Sequence, residues 1–560
     1  MKESTIQDAC NTLVDILLAK GVKNVVLSPG SRNAPLIVAM SRCESLHKYV
    51  VVDERSAAFM ALGMARESDS PVALVCTSGS AMLNYGPALA EAYYGEIPLV
   101  AISADRSEEW IDQDDGQAIH QYGMLSKIVK GSFDIPTRYS DTDGLWYVNR
   151  ILNEACLLAN KSPRGPVHIN FHFADNLYDV KSVHENSSRQ IDLYESSTID
   201  DEVVSQLGKI YNESSRVMIV GGFSNPNHIL NDSLKTLSED SRTVVFVETL
   251  TNVNGGKIIR TIDRTISALT EDEFEAYAPD LLITFGGATV TRMLKQRIKK
   301  FAPHHHWHIG KKTTVIDTSR HLTAVVDCSP ELFFEKLAKI VEHNNSSYAD
   351  DWDKINCKSI QNHNSYLQSV PWCDLKTFDI LSKVLPQDLN LHFSNGTPVR
   401  YGQLFGDIFQ QKQTCNRGVS GIDGCSSTAL GSALVSSQHT LLITGDMSFS
   451  YDTGGLFSQY KPEYFKIIVI CNGGGGIFRF IKGPDTLKEL ELYFEVKRNL
   501  DIEAYAKAMG YKYFQATDEK SLTSTLPDFI QESSASILAV YTDGELNAKV
   551  LRNYFRNLKN

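Results

Sequence analysis

No run of apolar residues in this 560-residue chain approaches the ~18 needed to cross a bilayer as a helix, so nothing in it reads as a membrane span. Paired cysteines are missing too. The ten Cys are scattered with no C-x-x-C, which argues against a disulfide framework and against zinc. Cys76 in PVALVCTSG and Cys471 in IIVICNGG lie in apolar runs where a thiol packs as a small hydrophobe. Positive charge is in deficit: 55 Lys and Arg against 67 Asp and Glu leave a net −12, which excludes a general nucleic-acid binder. Any anionic ligand must then be met by a local cluster of Arg or Lys. The opening stretch MKESTIQDACNTLVDILLAKG lacks the unbroken apolar core and small-residue cleavage site of a secretion signal. It reads as an amphipathic helix, and the expectation is a cytoplasmic protein with no membrane insertion. Heptads and short repeats are also absent.

What is present is a rhythm of strand and helix signals. At roughly 150 residues per domain, and with α/β domains running large, the length suggests three domains. The first block reads KNVVLSPG, HKYVVVDE, helical RSAAFMALGMARES, PVALVCTSG, helical NYGPALAEAYYG, PLVAISADR and GPVHINFHF. Strands alternating with helices imply a parallel sheet covered on both faces, an α/β, doubly wound fold. A polar linker, DVKSVHENSSRQIDLYESSTID, leads to a second block with RVMIVGG, TVVFVETL, DLLITFGG and TTVIDTS read as strands. After a polar and helical segment, the last block opens at DLKTFDILSKVLP and has strands at LNLHFSN, HTLLITGD, FKIIVICN and ASILAVYTDG. The expected domains are 1–185, 198–345 and 373–560, three successive α/β blocks that suggest a duplicated architecture.

Chemistry-bearing residues stand at the ends of these strands. Asp446 closes HTLLITGD and Asn472 closes FKIIVICN, the position where parallel α/β sheets bind ligands. Asp446, the Asn472 side-chain oxygen and the Gly474 carbonyl would supply three oxygen ligands to Mg²⁺, with phosphate and water completing its octahedron. The glycines that follow let backbone approach a diphosphate. Two ordinary strand-to-loop turns account for the same residues about equally well when they are taken alone. Glu54 in VVVDERSAAFMALGMA stands where a strand ends and a helix begins, and alone it is better explained as helix capping.

Taken together, DERSAAFMALGMA, TSGSAMLN with PALAEAYY and IPL, and GDMSF with CNGGGGIF resemble the thiamine-diphosphate enzymes of the pyruvate oxidase and acetolactate synthase type. The motifs occur in family order over nearly the whole chain. SPGSRNAPL, SADRSEEWIDQDDGQAIHQYGM and NRGVSGIDGCSSTALG are similar to a menaquinone-pathway branch of that family. The resemblance implies a pyrimidine-binding N-terminal domain, a Rossmann-like central domain that holds no cofactor and a diphosphate-binding C-terminal domain. The implied reaction decarboxylates 2-oxoglutarate and adds the four-carbon unit conjugately to isochorismate.

By that resemblance, thiamine diphosphate and Mg²⁺, with Mn²⁺ as a substitute, are the cofactors, and Glu54 hydrogen-bonds the aminopyrimidine and promotes its imino tautomer. Ile422 is the apolar wedge that keeps the cofactor bent. Gly445, Asp446, Met447, Ser448, Asn472, Gly474, Gly475 and Phe478 surround its other end, and Asp446, Asn472 and Gly474 hold the metal. Ser31, Arg32 and Gln117 join Glu54 as catalytic residues. Arg32, Arg106, Gln117, Arg292, Arg400 and Arg417 bind substrate, and the arginines are expected at strand ends or in loops. Arg suits the four carboxylates of the two substrates because its planar fork makes two charge-assisted bonds. The family architecture further implies a homodimer or homotetramer with shared sites. Against the family pattern, GDMS replaces GDG, Cys471 replaces the first of two asparagines, Gly116 precedes Gln117 where Asn is common, and Gly396 stands where Ser is usual. The run APHHHWHIG, with no partner acid or cysteine spacing, reads as a strand or loop with partly buried histidines rather than a metal site. The rival readings are another thiamine-diphosphate 2-oxoacid decarboxylase or acetolactate-type ligase, and a non-catalytic structural or regulatory relative.

Overall fold

The structure is a computed structural model that describes residues 2–559 except 175, 184–187, 197, 313, 343, 481 and 482. The expected end of the first domain, at 185, lies outside the described residues. Three all-parallel sheets follow one another along the chain. The first has the spatial order His47–Val50, Asn24–Leu27, Val72–Cys76, Leu99–Arg106, Val167–Phe173, Ser132–Ile135. The last has Lys412–Thr414, Asn390–Phe393, Thr440–Gly445, Lys466–Cys471, Ser536–Tyr541, Lys512–Ala516. Numbered within each sheet, both orders are 2-1-3-4-6-5, so the outer sheets repeat one topology. The central sheet is shorter: Thr243–Val247, Val217–Gly221, Leu281–Phe285, His305–Ile309, Ala324–Val326. Strands such as Val72–Cys76 and Lys466–Cys471 are buried at every residue, as their almost wholly apolar runs suit a sheet with helices on both faces.

Two expectations are corrected. Residues 314–319 of TTVIDTS are not a strand. The fourth position of the central sheet is taken by His305–Ile309, paired in register with Leu281–Phe285. Alternation explains this: Trp307 and Ile309 enter the core, while His306 and His308 on the other face share the Thr284 hydroxyl at 3.0 Å each. Burial pushes both imidazoles down to about 4, so they stay neutral at pH 7. Among the described residues no group of three or more His, Cys, Asp or Glu is placed to hold a metal. The second correction concerns the first linker and the N-terminus. Val180–Val183 pairs antiparallel with Lys2–Thr5, so the helix begins only at Asp8.

The outer domains are joined by two helices rich in small residues, Glu54–Ser68 and Cys425–Ala433. A Cβ added at Gly63 would lie 2.0 Å from the Thr428 carbonyl oxygen, and one at Gly431 would lie 2.0 Å from the Met60 carbonyl oxygen. The helices therefore cross backbone against backbone, inside an apolar core that draws on both outer sheets. Gly63→Ala should force them apart and lower stability by about 1–3 kcal/mol, even though Ala is the better helix former. Gly86→Ala, whose added Cβ meets nothing within 4 Å, is the control. Thermal unfolding should show a lower Tm for the first variant only; equal Tm values would refute the close crossing.

Candidate active site

At the carboxyl edge of the last sheet the strand order reverses between Asn390–Phe393 and Thr440–Gly445, and a cavity of about 600 Å³ opens there. Such reversal points are where open parallel sheets bind ligands. Loops after these strands and after Lys466–Cys471 form its walls, and residues 288–292 with Lys295 close it from the central domain. Twelve residues singled out from the sequence line it together: Arg292, Arg400, Arg417, Ile422, Gly445, Asp446, Met447, Ser448, Asn472, Gly474, Gly475 and Phe478.

At one end lie Asp446 and Asn472, only 3% and 9% exposed, at the tips of neighbouring strands that pair Gly445 with Ile470. The Asp446 carboxylate accepts from the N–H of Met447 at 2.7 Å and of Gly473 at 3.0 Å. Burial raises its carboxyl to about 7; those two bonds oppose the rise and nearby Asp374 adds to it. Gly474 has φ +140°, and a Cβ there would fall 2.4 Å from the Glu495 carbonyl oxygen, so only glycine permits this path. A carboxylate, an amide oxygen and a peptide carbonyl make a hard oxygen set that suits a divalent cation. The Ser448 hydroxyl donates to the Ile422 carbonyl at 2.6 Å, tying the loop that carries Ile422 to the loop after Asp446.

Cations crowd the other end. Arg417, 9% exposed, donates to Asn395 Oδ1 at 2.9 Å and to the Thr289 carbonyl at 3.2 Å. Its Nε is buried with no hydrogen-bond partner among the described residues. Arg400 is not in a loop or at a strand end, as expected, but within the helix Thr397–Leu404, where it turns toward the Val290 carbonyl at 3.4 Å. Burial, and then the charge of Arg292, hold its guanidinium below the usual value. Lys295, one turn beyond Arg292, is a fourth cation that the sequence reading missed. Burial lowers its ammonium, Glu248 opposes the shift and Arg417 reinforces it.

Two acids, Glu248 buried and Asp263 half-buried, stand behind this wall. Glu248 accepts the Thr291 N–H at 2.7 Å, and Asp263 accepts the Thr291 hydroxyl. Glu91, from the first domain, accepts the N–H groups of Gly418 and Val419 at 2.7 Å each and so anchors the loop that carries Arg417. Glu248 and Asp263 lie in no sequence motif, and Glu91, although inside PALAEAYY, was not singled out. Their signal is tertiary, since each sits in an ordinary helix or strand-end position far along the chain from what it holds.

Glu54, Ser31, Arg32, Arg106 and Gln117 do not line this cavity. They gather at the carboxyl edge of the first sheet, where a Cβ on Gly79 would meet Gln117 Cα at 3.0 Å. The cap of the helix Glu54–Ser68 is Asp53, whose carboxylate accepts from Arg55 N at 3.0 Å and Ser56 N at 3.3 Å. Capping is thus not the work of Glu54, which accepts from Asn84 Nδ2 at 3.4 Å. Arg32 donates to the Phe173 carbonyl at 3.1 Å. Arg106 is engaged by Asp115 at 2.8 Å and by the Gly116 carbonyl at 2.9 Å, so an incoming carboxylate would have to displace Asp115. Gln117 holds φ +59° in an exposed loop.

Burial raises the Glu248 carboxyl from 4.5 to about 7, against the Thr291 and Val290 N–H groups and the Arg417 charge. The folded chain therefore holds this proton more tightly than the unfolded chain, and stability falls as pH rises from about 4.5 to about 7. Glu248→Gln removes that loss. Its stability relative to wild type should improve by up to about 3 kcal/mol between pH 5 and pH 8. Paired Tm measurements across that window check it, and a constant offset would be evidence against the buried charge.

Residues 7–124 match the family described as "Thiamine pyrophosphate enzyme, N-terminal TPP binding domain". The 2-succinyl-5-enolpyruvyl-6-hydroxy-3-cyclohexene-1-carboxylate synthase of Porphyromonas gingivalis is 42% identical over 97% of this chain and 96% of its own length. The enzyme of the same name from Flavobacterium psychrophilum is 38% identical over 98% of both chains. Among solved structures, a chain from Mycobacterium smegmatis described as thiamin diphosphate-dependent superposes with a TM-score of 0.71 over 96% of this chain and 99% of its own. At 17% identity that likeness speaks for the fold alone. With relatives of this identity along almost its whole length, the chain belongs to the 2-succinyl-5-enolpyruvyl-6-hydroxy-3-cyclohexene-1-carboxylate synthase family of thiamine-diphosphate-dependent enzymes.

Proposed function

We propose that the chain decarboxylates 2-oxoglutarate and adds the four-carbon unit to isochorismate, giving 2-succinyl-5-enolpyruvyl-6-hydroxy-3-cyclohexene-1-carboxylate for menaquinone biosynthesis. The observation that carries this reading is the meeting of Arg292, Lys295, Arg400 and Arg417 in the cavity that also holds Asp446 and Asn472. An acidic chain has concentrated cations where carboxylate substrates would react, more than pyruvate or a simple aldehyde requires. We assign the chain to the cytoplasm. Supporting this, no helix among the described residues is long and apolar enough to cross a membrane. The division at 1–185, 198–345 and 373–560 is likewise our proposal.

Thiamine diphosphate supplies the electron sink that makes loss of CO₂ next to a ketone feasible. Asp446, Asn472 and the Gly474 carbonyl would hold Mg²⁺, or Mn²⁺ in its place. The donor set fits: burial, and then the charge of Asp374, raise the Asp446 carboxyl, and a bound divalent cation would favour its ionised form. Gly445, Met447, Ser448, Gly475 and Phe478 would contact the cofactor beside the metal, and Ile422 would press against its middle. Glu54 would share a proton with the aminopyrimidine nitrogen. Arg400 and Arg417 would take the 2-oxoglutarate carboxylates, with Arg292 and Lys295 nearby. Ser31, Arg32, Arg106 and Gln117 would receive isochorismate.

Glu54 lies outside the cavity of its own chain, which supports a homodimer or homotetramer in which the first domain of one subunit faces the last domain of another. Val52, Leu83 and Phe457 are 75%, 51% and 54% exposed, apolar surface that such an interface would cover. Incubation with Mg²⁺, thiamine diphosphate and 2-oxoglutarate, with and without isochorismate, tests the function. The adduct should form only when both substrates are present. Decarboxylation with no adduct would favour a generic decarboxylase, and no turnover a non-catalytic relative.

Glu54→Gln and Asp446→Ala should each be inactive alone, the first still binding cofactor and the second not. Mixed and allowed to exchange subunits, they should recover part of the activity; verified exchange with none recovered would overturn the shared site. The two half-reactions should also separate by charge. Arg106→Ala should weaken isochorismate binding by about 2–5 kcal/mol while 2-oxoglutarate decarboxylation stays near normal. Arg400→Ala should impair the first half-reaction. Equal small effects in rapid-mixing kinetics would reduce both residues to surface charges.

A further inference from the structure

Asp374 opens the helix Asp374–Val384 and is 1% exposed, yet it does not line the cavity. Its Oδ1 accepts the Thr542 hydroxyl at 2.6 Å, and its Oδ2 accepts Asn472 Nδ2 at 2.9 Å. Its backbone N–H donates to Asn547 Oδ1 at 2.8 Å, and Asn547 Nδ2 donates to Thr542 Oγ1 at 3.2 Å. The ring is closed: the start of one helix, the end of the strand Ser536–Tyr541 and the helix Gly544–Asn557 fix the carboxylate from three sides.

Both Asp374 oxygens are engaged as acceptors, Oδ1 by the Thr542 hydroxyl and Oδ2 by the Asn472 NH₂, whereas an amide can present either its oxygen or its NH₂. Against Asp374, Asn472 must turn its NH₂ backward. Its Oδ1 then has no hydrogen bond among the described residues, while the residue itself lines the cavity beside Asp446. The opposite flip would set oxygen against oxygen at Asp374 and offer N–H donors where a cation needs lone pairs. We propose that Asp374 is a positioning residue that fixes the Asn472 amide with its oxygen, rather than its nitrogen, toward the divalent-cation position. This inference rests on the reading of Asp446, Asn472 and the Gly474 carbonyl as that position. Groups that orient a metal ligand from behind govern affinity almost as strongly as the ligands do.

The test is calorimetry of thiamine diphosphate binding to the full-length protein over a series of Mg²⁺ concentrations, with apo-protein Tm measured in parallel. Asp374→Ala should raise the Mg²⁺ concentration for half-maximal cofactor binding roughly ten- to a hundredfold. Asp374→Asn keeps one acceptor but can also turn its NH₂ toward Asn472, and it should shift the midpoint in the same direction by less than Asp374→Ala. Thr542→Val removes the hydroxyl that steers the carboxylate and should shift the midpoint in the same direction by a smaller factor. A lowered apo Tm in Asp374→Ala with an unmoved Mg²⁺ midpoint would show a structural role and overturn the proposal. If Asp374→Ala does not fold, Thr542→Val decides, and a wild-type midpoint in it has the same meaning. Wild-type protein that binds the cofactor equally well without Mg²⁺ would instead overturn the cation reading, so the two failures are distinguishable.

Discussion

The structure depends on one close approach, the crossing of Glu54–Ser68 with Cys425–Ala433 at Gly63 and Gly431. At 2.0 Å from an added Cβ to a facing carbonyl oxygen, neither glycine can be replaced without separating the outer domains. The same crossing places Gly424, at φ +71°, against the Phe59 ring, and it brings Glu91 within reach of the backbone at 418–419. Arg417 and Ile422 belong to that loop, so the geometry of the cavity is set partly by a helix of the first domain that does not line it.

A second constraint is electrostatic. Four cations share one cavity, where burial first, and then their mutual repulsion, lower the pKa values of Arg400 and Lys295. Neighbouring acids offset the repulsion without blocking the site. Glu248 and Asp263 face it through Thr291, so that neither carboxylate forms an ion pair with these guanidinium groups. At the opposite end the sign reverses, with Asp446 and Asp374 both buried and both raised toward the neutral form. A site with unmet positive charge at one end and unmet negative charge at the other suits anionic substrates beside a metal-bound diphosphate. Such sites cost stability, which the apolar cores of the three sheets must offset.

The sequence by itself determined the α/β class, the three sheets and most of their strands, because β-branched runs alternating with helical periodicity have few other solutions. It also located Asp446, Asn472 and the glycines, whose type and strand-end placement are local properties. Strands such as Ser132–Ile135, Lys412–Thr414 and Lys512–Ala516 escaped it because short, partly polar sheet-edge segments carry little pattern. The misplaced TTVIDTS and the true strand His305–Ile309 differ only in which side chains found a core. That is a tertiary outcome.

Tertiary structure alone decided the partners. Glu248, Asp263 and Asp374 are acids of no distinctive spacing, Glu91 lies in PALAEAYY with no local sign of its partner, and each acts on a residue between 28 and 328 positions away. The local sequence cannot say that Asp53 rather than Glu54 caps its helix, that Arg106 is held by Asp115, or that Lys295 joins the arginines. Each of these depends on where burial leaves a polar atom without water, and burial is fixed only when all three sheets have packed.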